Sequence, residues 1–329
     1  MRAVRVHTLG GPEVLTYEEV EDPRPGPGEA LVRVQAAGVN FLDIYYRSGF
    51  HWGGHHGRAL PYTPGAEGAG VVEAVGDGVT HVAPGDRVAY GVSNGAGAYA
   101  ELQALPAWHL TRLPDAIPVE TAGAAMQQGM TAHYLCSDVF PLEAGHACLV
   151  HAAAGGTGLM LVQMAKLRGA RVIGTVSTAA KAALARDAGA DAVIVTAEAD
   201  FTEETRRLTD GAGVHVVYDS VGAATFEGSL ACLRPKGMMA LYGQSSGRVP
   251  PFDTAVLNAM GSLFLARPSL THYVACHEDV ARRAGDMFRW IAEGSLTVHI
   301  GGRFALRDAA QAHIALESRT TTGKLLLIP

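Results

Sequence analysis

The chain has 329 residues, 48% hydrophobic and 18% charged, with a formal net charge of −6. That composition is globular and long enough for two domains with their own cores, and the acidic balance without a Lys/Arg block argues against a nucleic-acid track. Its four cysteines (Cys136, Cys148, Cys232, Cys276) are scattered, so neither a disulfide framework nor a structural zinc lobe is expected. No charged leader with an apolar segment opens the sequence and no 18-residue apolar run occurs, so a cytoplasmic protein outside the membrane is expected.

Residues 1 to about 120 read as β-rich. Short alternating runs such as "ALVRVQAAGVN" and "GAGVVEAVGDGV" are separated by Gly, Pro and Asp turn chemistry, as in "PRPGPGEA" and "APGDRV". No sustained helical periodicity precedes residue 118. Helical spacing begins near "IPVETAGAAMQQGMTAHYLCSDV", with Pro118 near its start and Thr121 as a possible cap. Strands and helices then alternate: "ACLVHAA", the helix "GLMLVQMAKLRG", "ARVIGTVS", the helix "TAAKAALARDAG", "DAVIV", "VHVVYDSVG", the helix "TFEGSLACLR" and "GMMALYG". Such alternation indicates a parallel sheet covered on both faces. The expected fold class is α/β. A doubly wound domain over 122–266 is inserted into a β-rich domain made of 1–121 and 267–329. Helices near "EDVARRAGDMFRWIAEG" and "LRDAAQAHIALESR" and a last strand "GKLLLIP" complete the second segment.

The stretch "HAAAGGTGLM" follows the first strand of the alternating array and opens its first helix. A dinucleotide pyrophosphate binds at such a turn, on backbone N–H groups with the helix dipole behind them. The spacing is not G-x-G-x-x-G, because Ala153 stands where the first glycine would be; Gly155 and Gly158 hold the other two positions. The second strand ends in "GTVSTAAK", without the acid that holds both ribose hydroxyls in NAD enzymes. Ser177 and Lys181 at that end would accept a 2′-phosphate, which points to NADPH; the plainer reading is that Ser177 caps a helix and Lys181 is a solvated charge.

These residues resemble a family. "GGPEVL" (10–15), "GVNFLDIYYRSG" (38–49), "GAEGAGVVEAVG" (65–76), "GDRV" (85–88), "HAAAGGTGL" (151–159), "VVYDSVG" (216–222), "GSLFLARPSL" (261–270) and the closing "LESR…LLIP" are similar to zinc-independent, zeta-crystallin-like quinone oxidoreductases. Those belong to the medium-chain dehydrogenase/reductase superfamily. The resemblance covers essentially the whole chain. It implies a GroES-like catalytic domain interrupted by a Rossmann domain, NADPH as cofactor, a small quinone as substrate and a homodimer joined through the Rossmann domains. Zinc-dependent relatives carry a cysteine in the segment matching "GVNFLD" and a histidine in that matching "GAEGAG"; Asn40 and Ala66 stand there in this chain, so no metal is expected.

The resemblance further implies that Asn40, Phe41, Asp43 and Tyr45 lie at the nicotinamide and substrate cleft, with Asn40 and Tyr45 positioning substrate and nicotinamide, and that Thr131 approaches the nicotinamide end. Gly155, Gly156 and Thr157 are expected at the pyrophosphate, and Gly174, Ser177, Lys181 and Arg319 around the adenosine and its phosphate. Thr196 stands near that phosphate, where relatives often carry tyrosine. Ser220, Tyr242, Gly243, Gln244 and Ser245 are expected along the cofactor, and Phe264 and Arg267 at its nicotinamide half. Tyr46 reads as a packed aromatic. Asp219 is open between sheet-end packing and cofactor contact. His51, His55 and His56, among glycines, read as an exposed loop rather than a metal site. An alkenal or enone double-bond reductase is the rival activity, and a cofactor-binding structural or RNA-binding protein the rival class.

Overall fold

The computed structural model describes residues 1–50, 59–91 and 97–329. In chain order its elements are β1 (Arg2–Val6), β2 (Leu15–Glu19), β3 (Glu29–Val39), α1 (Phe41–Arg47), β4 (Glu67–Val75), β5 (Arg87–Gly91), β6 (Leu102–Pro106), β7 (Thr111–Arg112) and α2 (Val119–Tyr134). Next come β8 (Ala147–Val150), α3 (Gly156–Leu167), β9 (Arg171–Val176), α4 (Ala179–Asp187), β10 (Ala192–Val195), α5 (Phe201–Leu208), β11 (Val214–Asp219) and α6 (Phe226–Ala231). They are followed by β12 (Leu233–Leu241), α7 (Ala255–Ala259), β13 (Phe264–Ala266), α8 (His277–Ala292), β14 (Ile300–Ala305), α9 (Ala309–Glu317) and β15 (Lys324–Ile328). The chain divides into two compact units, Met1–Met130 with Tyr273–Pro329, and Thr131–His272. The first division falls inside α2. Thr121 is an interior residue of that helix, whose start is marked by Pro118, not by a threonine cap.

The first unit is built on a seven-stranded sheet in the order β14-β15-β3-β4-β5-β7, with β6 also paired to β3. Strand β3 is the spine. It is eleven residues long and antiparallel to β15, β4 and β6. Its alternation sends Val32 and Val34 inward, where Val72, Val88, Tyr90, Leu105 and Leu327 also pack, while Ala36, past a bulge, packs with Ala124 and Leu326. A separate β1–β2 ladder is tied on through Val4, whose N–H donates to the Tyr99 carbonyl (2.8 Å).

The second unit carries a six-stranded sheet in the order β10-β9-β8-β11-β12-β13, parallel at every pair. Its central strands are continuous apolar runs because helices cover both faces. Leu149, Ile173, Val217 and Met239 are fully buried in its core. Gly169 and Gly189 close α3 and α4 with φ of 78° and 104°, a region open to glycine at no steric cost. The order steps outward in both directions from β8 and β11, so the carboxyl ends of those strands form the switch point where an open α/β sheet binds ligands.

Candidate active site

The stretch after β8 is a tight turn that leads into α3. Ala153 N–H donates to the Thr175 carbonyl at 3.0 Å, and His151 N–H to the Tyr218 carbonyl at 3.1 Å, which ties the loop to both neighbouring strands. The left-handed position is Ala152, with φ of 51°; Ala153 is not left-handed, so alanine there carries no backbone penalty. The three small residues serve different ends. A Cβ at Gly158 would stand 2.8 Å from Ala153 Cα, so packing of helix on loop requires that glycine. A Cβ at Gly155 would meet only the Ala152 carbonyl at 3.2 Å, so the fold leaves open space above it. Gly155 is the N-cap of α3, offers no capping side chain, and no acid stands in the first turn. Half-buried Gly155, Gly156 and Thr157 therefore form an uncapped helix N-terminus suited to an anion. The residues present fit a dinucleotide pyrophosphate.

The end of β9 differs in detail from the sequence expectation. Gly174 is bare because Ala153 fills its place: a Cβ on Gly174 would lie 2.8 Å from the Ala153 Cβ. The cap of α4 is Thr178, whose hydroxyl accepts the Lys181 N–H, so exposed Ser177 is not the cap. Burial pushes the Lys181 ammonium pKa down, as expected for a cation partly withdrawn from water. Thr196 donates its hydroxyl to the Val176 carbonyl at 3.2 Å, joining β10 to that same strand end.

At the ends of β11 and β12, Asp219 is fully buried. Oδ1 accepts the N–H groups of Val221 (2.7 Å) and Gly222 (3.0 Å); Oδ2 accepts the hydroxyls of Thr225 (2.7 Å) and Ser229 (2.8 Å). Its lone pairs are taken up inside the protein, which makes it a turn-holding group. Ser220, Tyr242, Gly243 and Ser245 are half-buried along the adjoining turns; a Cβ on Gly243 would lie 2.7 Å from Ser220 Cα. Arg267 donates to the Leu241 carbonyl and, at 3.3 Å, to Gln244 Oε1, so it braces the end of β12. Phe264, on edge strand β13, is 56% exposed. Half-buried Thr131 opens this unit within α2.

In the other unit, Asn40 is the N-cap of α1. Asp43 accepts its backbone N–H at 3.0 Å, the N3 arm of a capping box. The Asn40 amide is held by charge. Its Nδ2 donates to Glu67 Oε1 (2.8 Å) and the Gly38 carbonyl (3.3 Å), while Oδ1 accepts from Lys324 Nζ (2.7 Å). Lys324 also pairs directly with Glu67, and Glu67 Oε2 accepts the Gln127 N–H at 2.8 Å. Both charged groups are buried, 1% and 0% exposed. Burial lowers the Lys324 pKa while the Glu67 carboxylate opposes that shift. Gly38 has no side chain because one would run into Glu67 and Lys324. Ala66, also buried, precedes this carboxylate.

Asp43 belongs to a second buried line. Arg47 donates to His313 Nδ1 (2.9 Å) and Glu317 (2.8 Å), His313 Nε2 lies 3.0 Å from the Tyr99 hydroxyl, and Tyr99 donates to Asp43 Oδ2 (3.3 Å). Arginine has no acceptor, so His313 is neutral with its proton on Nε2. Burial, then the Arg47 charge, hold its pKa down at about 3. Tyr45 is 9% exposed and packs on Phe41 and, edge-on, on Phe50; Tyr46 is half-buried. Arg319 follows α9 with φ of 58° and is exposed. His51, His55 and His56 lie outside the described residues. Lys324, Tyr99, His313 and Arg47 were missed by the sequence reading: they sit far apart along the chain, and nothing in their local pattern marks them.

A model described as an alcohol dehydrogenase GroES-like domain matches residues 26–115, and one described as a zinc-binding dehydrogenase matches 156–289. A curated quinone oxidoreductase of Pseudomonas aeruginosa is 43% identical over 100% of this chain and 99% of that protein. The chain belongs to the medium-chain dehydrogenase/reductase family. It is an oxidoreductase of that family, with a GroES-like domain and a Rossmann domain. A 2-haloacrylate reductase from a Burkholderia species is 41% identical over 99% of this chain and 98% of that protein. The crystal structure of an Escherichia coli quinone oxidoreductase complexed with NADPH matches with a TM-score of 0.95 at 41% identity, covering 100% of both chains. No helix among the described residues is long and apolar enough to cross a membrane. In the GroES-like unit the Lys324 ammonium is held between Asn40 Oδ1 and Glu67.

Proposed function

We propose that this protein reduces quinones with NADPH, by direct hydride transfer and without a metal. The observation that carries the reading is the uncapped N-terminus of α3, with open space over Gly155, beside a β9 end that has Ser177 and Lys181 and no acid. When bound, the nicotinamide supplies the hydride. The backbone N–H groups of Gly155, Gly156 and Thr157 hold the pyrophosphate. Ser177 and Lys181 hold the 2′-phosphate, and Arg319 is assigned to that phosphate by the family resemblance alone. Gly174 and Thr196 act by shaping the β9 end. Ser220, Tyr242, Gly243, Gln244 and Ser245 line the path toward the nicotinamide, and Arg267 braces it. On the GroES-like unit Phe41 and Tyr45 meet the flat acceptor, while Asp43 acts through Asn40; on the Rossmann unit Thr131 serves the nicotinamide end. Positioning alone can lower the barrier by about 7–11 kcal/mol, so a dedicated acid or base is not required.

The similarity to a 2-haloacrylate reductase favours a second reading, reduction of an activated carbon–carbon double bond. The same cofactor geometry serves both. The protein is further proposed to act in the cytoplasm as a homodimer.

The test is a screen of 1,4-benzoquinone, 9,10-phenanthrenequinone, an alkenal and a haloacrylate under NADPH and NADH, following nicotinamide absorbance. Quinone turnover favoured by NADPH supports the first reading; turnover of only the unsaturated compounds moves it to the second. Lys181→Ala is expected to raise KM for NADPH about 10- to 100-fold, the worth of one charged contact, and to leave NADH nearly unchanged. Equal weakening with both cofactors would show that Lys181 serves the fold.

A further inference from the structure

Beneath the phosphate loop lies a buried polar line that the chemistry of hydride transfer does not use. His151 is the last residue before the loop, and its ring is 1% exposed. Nδ1 lies 2.9 Å from the Thr175 hydroxyl and Nε2 lies 2.9 Å from the Ser229 hydroxyl. Ser229 is 2.8 Å from Asp219 Oδ2, and a carboxylate that already accepts three other donors takes the Ser229 proton as its fourth. The Ser229 oxygen must then accept from His151, so the proton is on Nε2. Nδ1 is left as an acceptor and receives the Thr175 hydroxyl proton. The order is fixed throughout: Thr175 donates to His151, His151 to Ser229, Ser229 to Asp219. Burial lowers the His151 pKa, against the raising effect of Asp219, in keeping with a neutral ring.

Each end of this line stands under a different part of the ligand track. Thr175 neighbours Gly174 and lies two residues before Ser177, on the adenosine side. His151 is continuous with the left-handed Ala152 and the loop. Asp219 holds the Val221 and Gly222 amides, and the same turn is bound to the β12 end through Ser245 N–H to the Ser220 carbonyl and Ser246 N–H to the Val221 carbonyl. Thr175, Ser229 and Asp219 are 3%, 0% and 0% exposed. Three parallel strands are already joined by backbone ladders; the side-chain line joins their carboxyl ends, where the ladders stop.

We infer that His151 is a positioning residue for the dinucleotide: its neutral ring holds the phosphate loop, the adenosine-side strand end and the Ser220–Gly222 turn in one geometry, so that all three meet a ligand together. The inference rests on the proposed dinucleotide site. His151→Met keeps volume but removes both hydrogen bonds, and leaves Thr175 and Ser229 without the ring. His151→Gln offers one donor and one acceptor at similar reach and is the rescue.

The experiment measures NADPH and 2′,5′-ADP dissociation constants, kcat at saturation, and hydrogen exchange of the amides of residues 152–158 in ligand-free protein. His151→Met should weaken both ligands about tenfold or more, change kcat less than about twofold, and speed exchange in the loop; His151→Gln should stay within about threefold of wild type. Unchanged loop exchange in His151→Met overturns the inference, whether or not NADPH binds. Equal damage by Met and Gln also overturns it, since ring shape and not hydrogen bonding would then be the cause. If wild type binds neither ligand while loop exchange responds as expected, the dinucleotide reading fails and the loop-holding role stands as purely structural. Should His151→Met not fold, Thr175→Val removes one bond only; unchanged affinity and exchange there would equally count against the inference.

Discussion

Arg319 has a φ of 58°, a conformation that costs a side-chain-bearing residue about 1–2 kcal/mol over glycine. It closes α9 where glycine is the usual choice. A strained arginine retained at a position proposed to meet a phosphate suggests that the side chain is kept for binding at the expense of stability. Arg319→Gly is therefore expected to leave the melting temperature unchanged or slightly raised while weakening NADPH about tenfold, read by differential scanning and by cofactor fluorescence. A fall in both together would make Arg319 a structural residue. At this scale the sequence was most legible where one residue type has one common use, as for Gly155 in its turn or the missing acid after β9. It was least legible for Lys324 and Tyr99, whose meaning lies in partners hundreds or tens of positions away, and for Asp219, whose four donors come from its own turn and α6.

Among elements, the β8–loop–α3–β9 unit shows how a departure from a motif is absorbed. The methyl group that the first motif position gained, at Ala153, occupies the space that Gly174 lacks. Gly174→Ala should destabilise by about 1–3 kcal/mol through overpacking. Adding Ala153→Gly should restore most of that loss, measured by denaturant unfolding; full additivity of the two changes would deny the coupling. The alternating strands and helices of this unit were read from periodicity because their apolar faces are pure. Several elements escaped, among them α1, α5 and β14. Helix α1 turns Asp43 and Arg47 inward, inverting the expected pattern. Helix α5 has few apolar residues and stands on its Asp200 cap, the Glu204–Arg207 pair and the Arg206 guanidinium, which donates to the carbonyls of Ala231 and Leu233. Strand β14 contains Gly301 and Gly302, and Gly301 is there because a side chain would collide with Thr322.

For the whole molecule, acid is the informative stress. His313 and His109 are held at pKa values of about 3 and about 4 by burial, with Arg47 adding to the first. The ordinary histidine value is 6.5, so between about pH 6.5 and 4 the unfolded chain binds protons that the folded chain refuses. Stability is thus full above 6.5 and falls as pH drops, by about 1.4 kcal/mol per pH unit for each histidine. His109→Gln should flatten that slope by about one proton's worth in a pH series of unfolding curves. The second expectation concerns assembly. Phe264 on the edge strand is exposed together with Phe252, Val256 and Met260 of the α7 region, at 36–56%. An open edge of that kind invites pairing with a second copy. Sedimentation should give a dimer at micromolar concentration, and Phe264→Glu a monomer; a wild-type monomer would refute the arrangement.

The interrupted first unit has a consequence for synthesis. Strand β3 is made early, yet its partner β15 and the ammonium of Lys324 lie beyond the whole second unit. At ~5–20 residues per second, β3 waits on the order of tens of seconds on the ribosome before that neighbour exists. The second unit, contiguous in sequence, emerges complete in the meantime. The carboxylate of Glu67 stays without its counter-ion for the same interval, so the domain that carries Asn40 is the last part of the molecule to become itself.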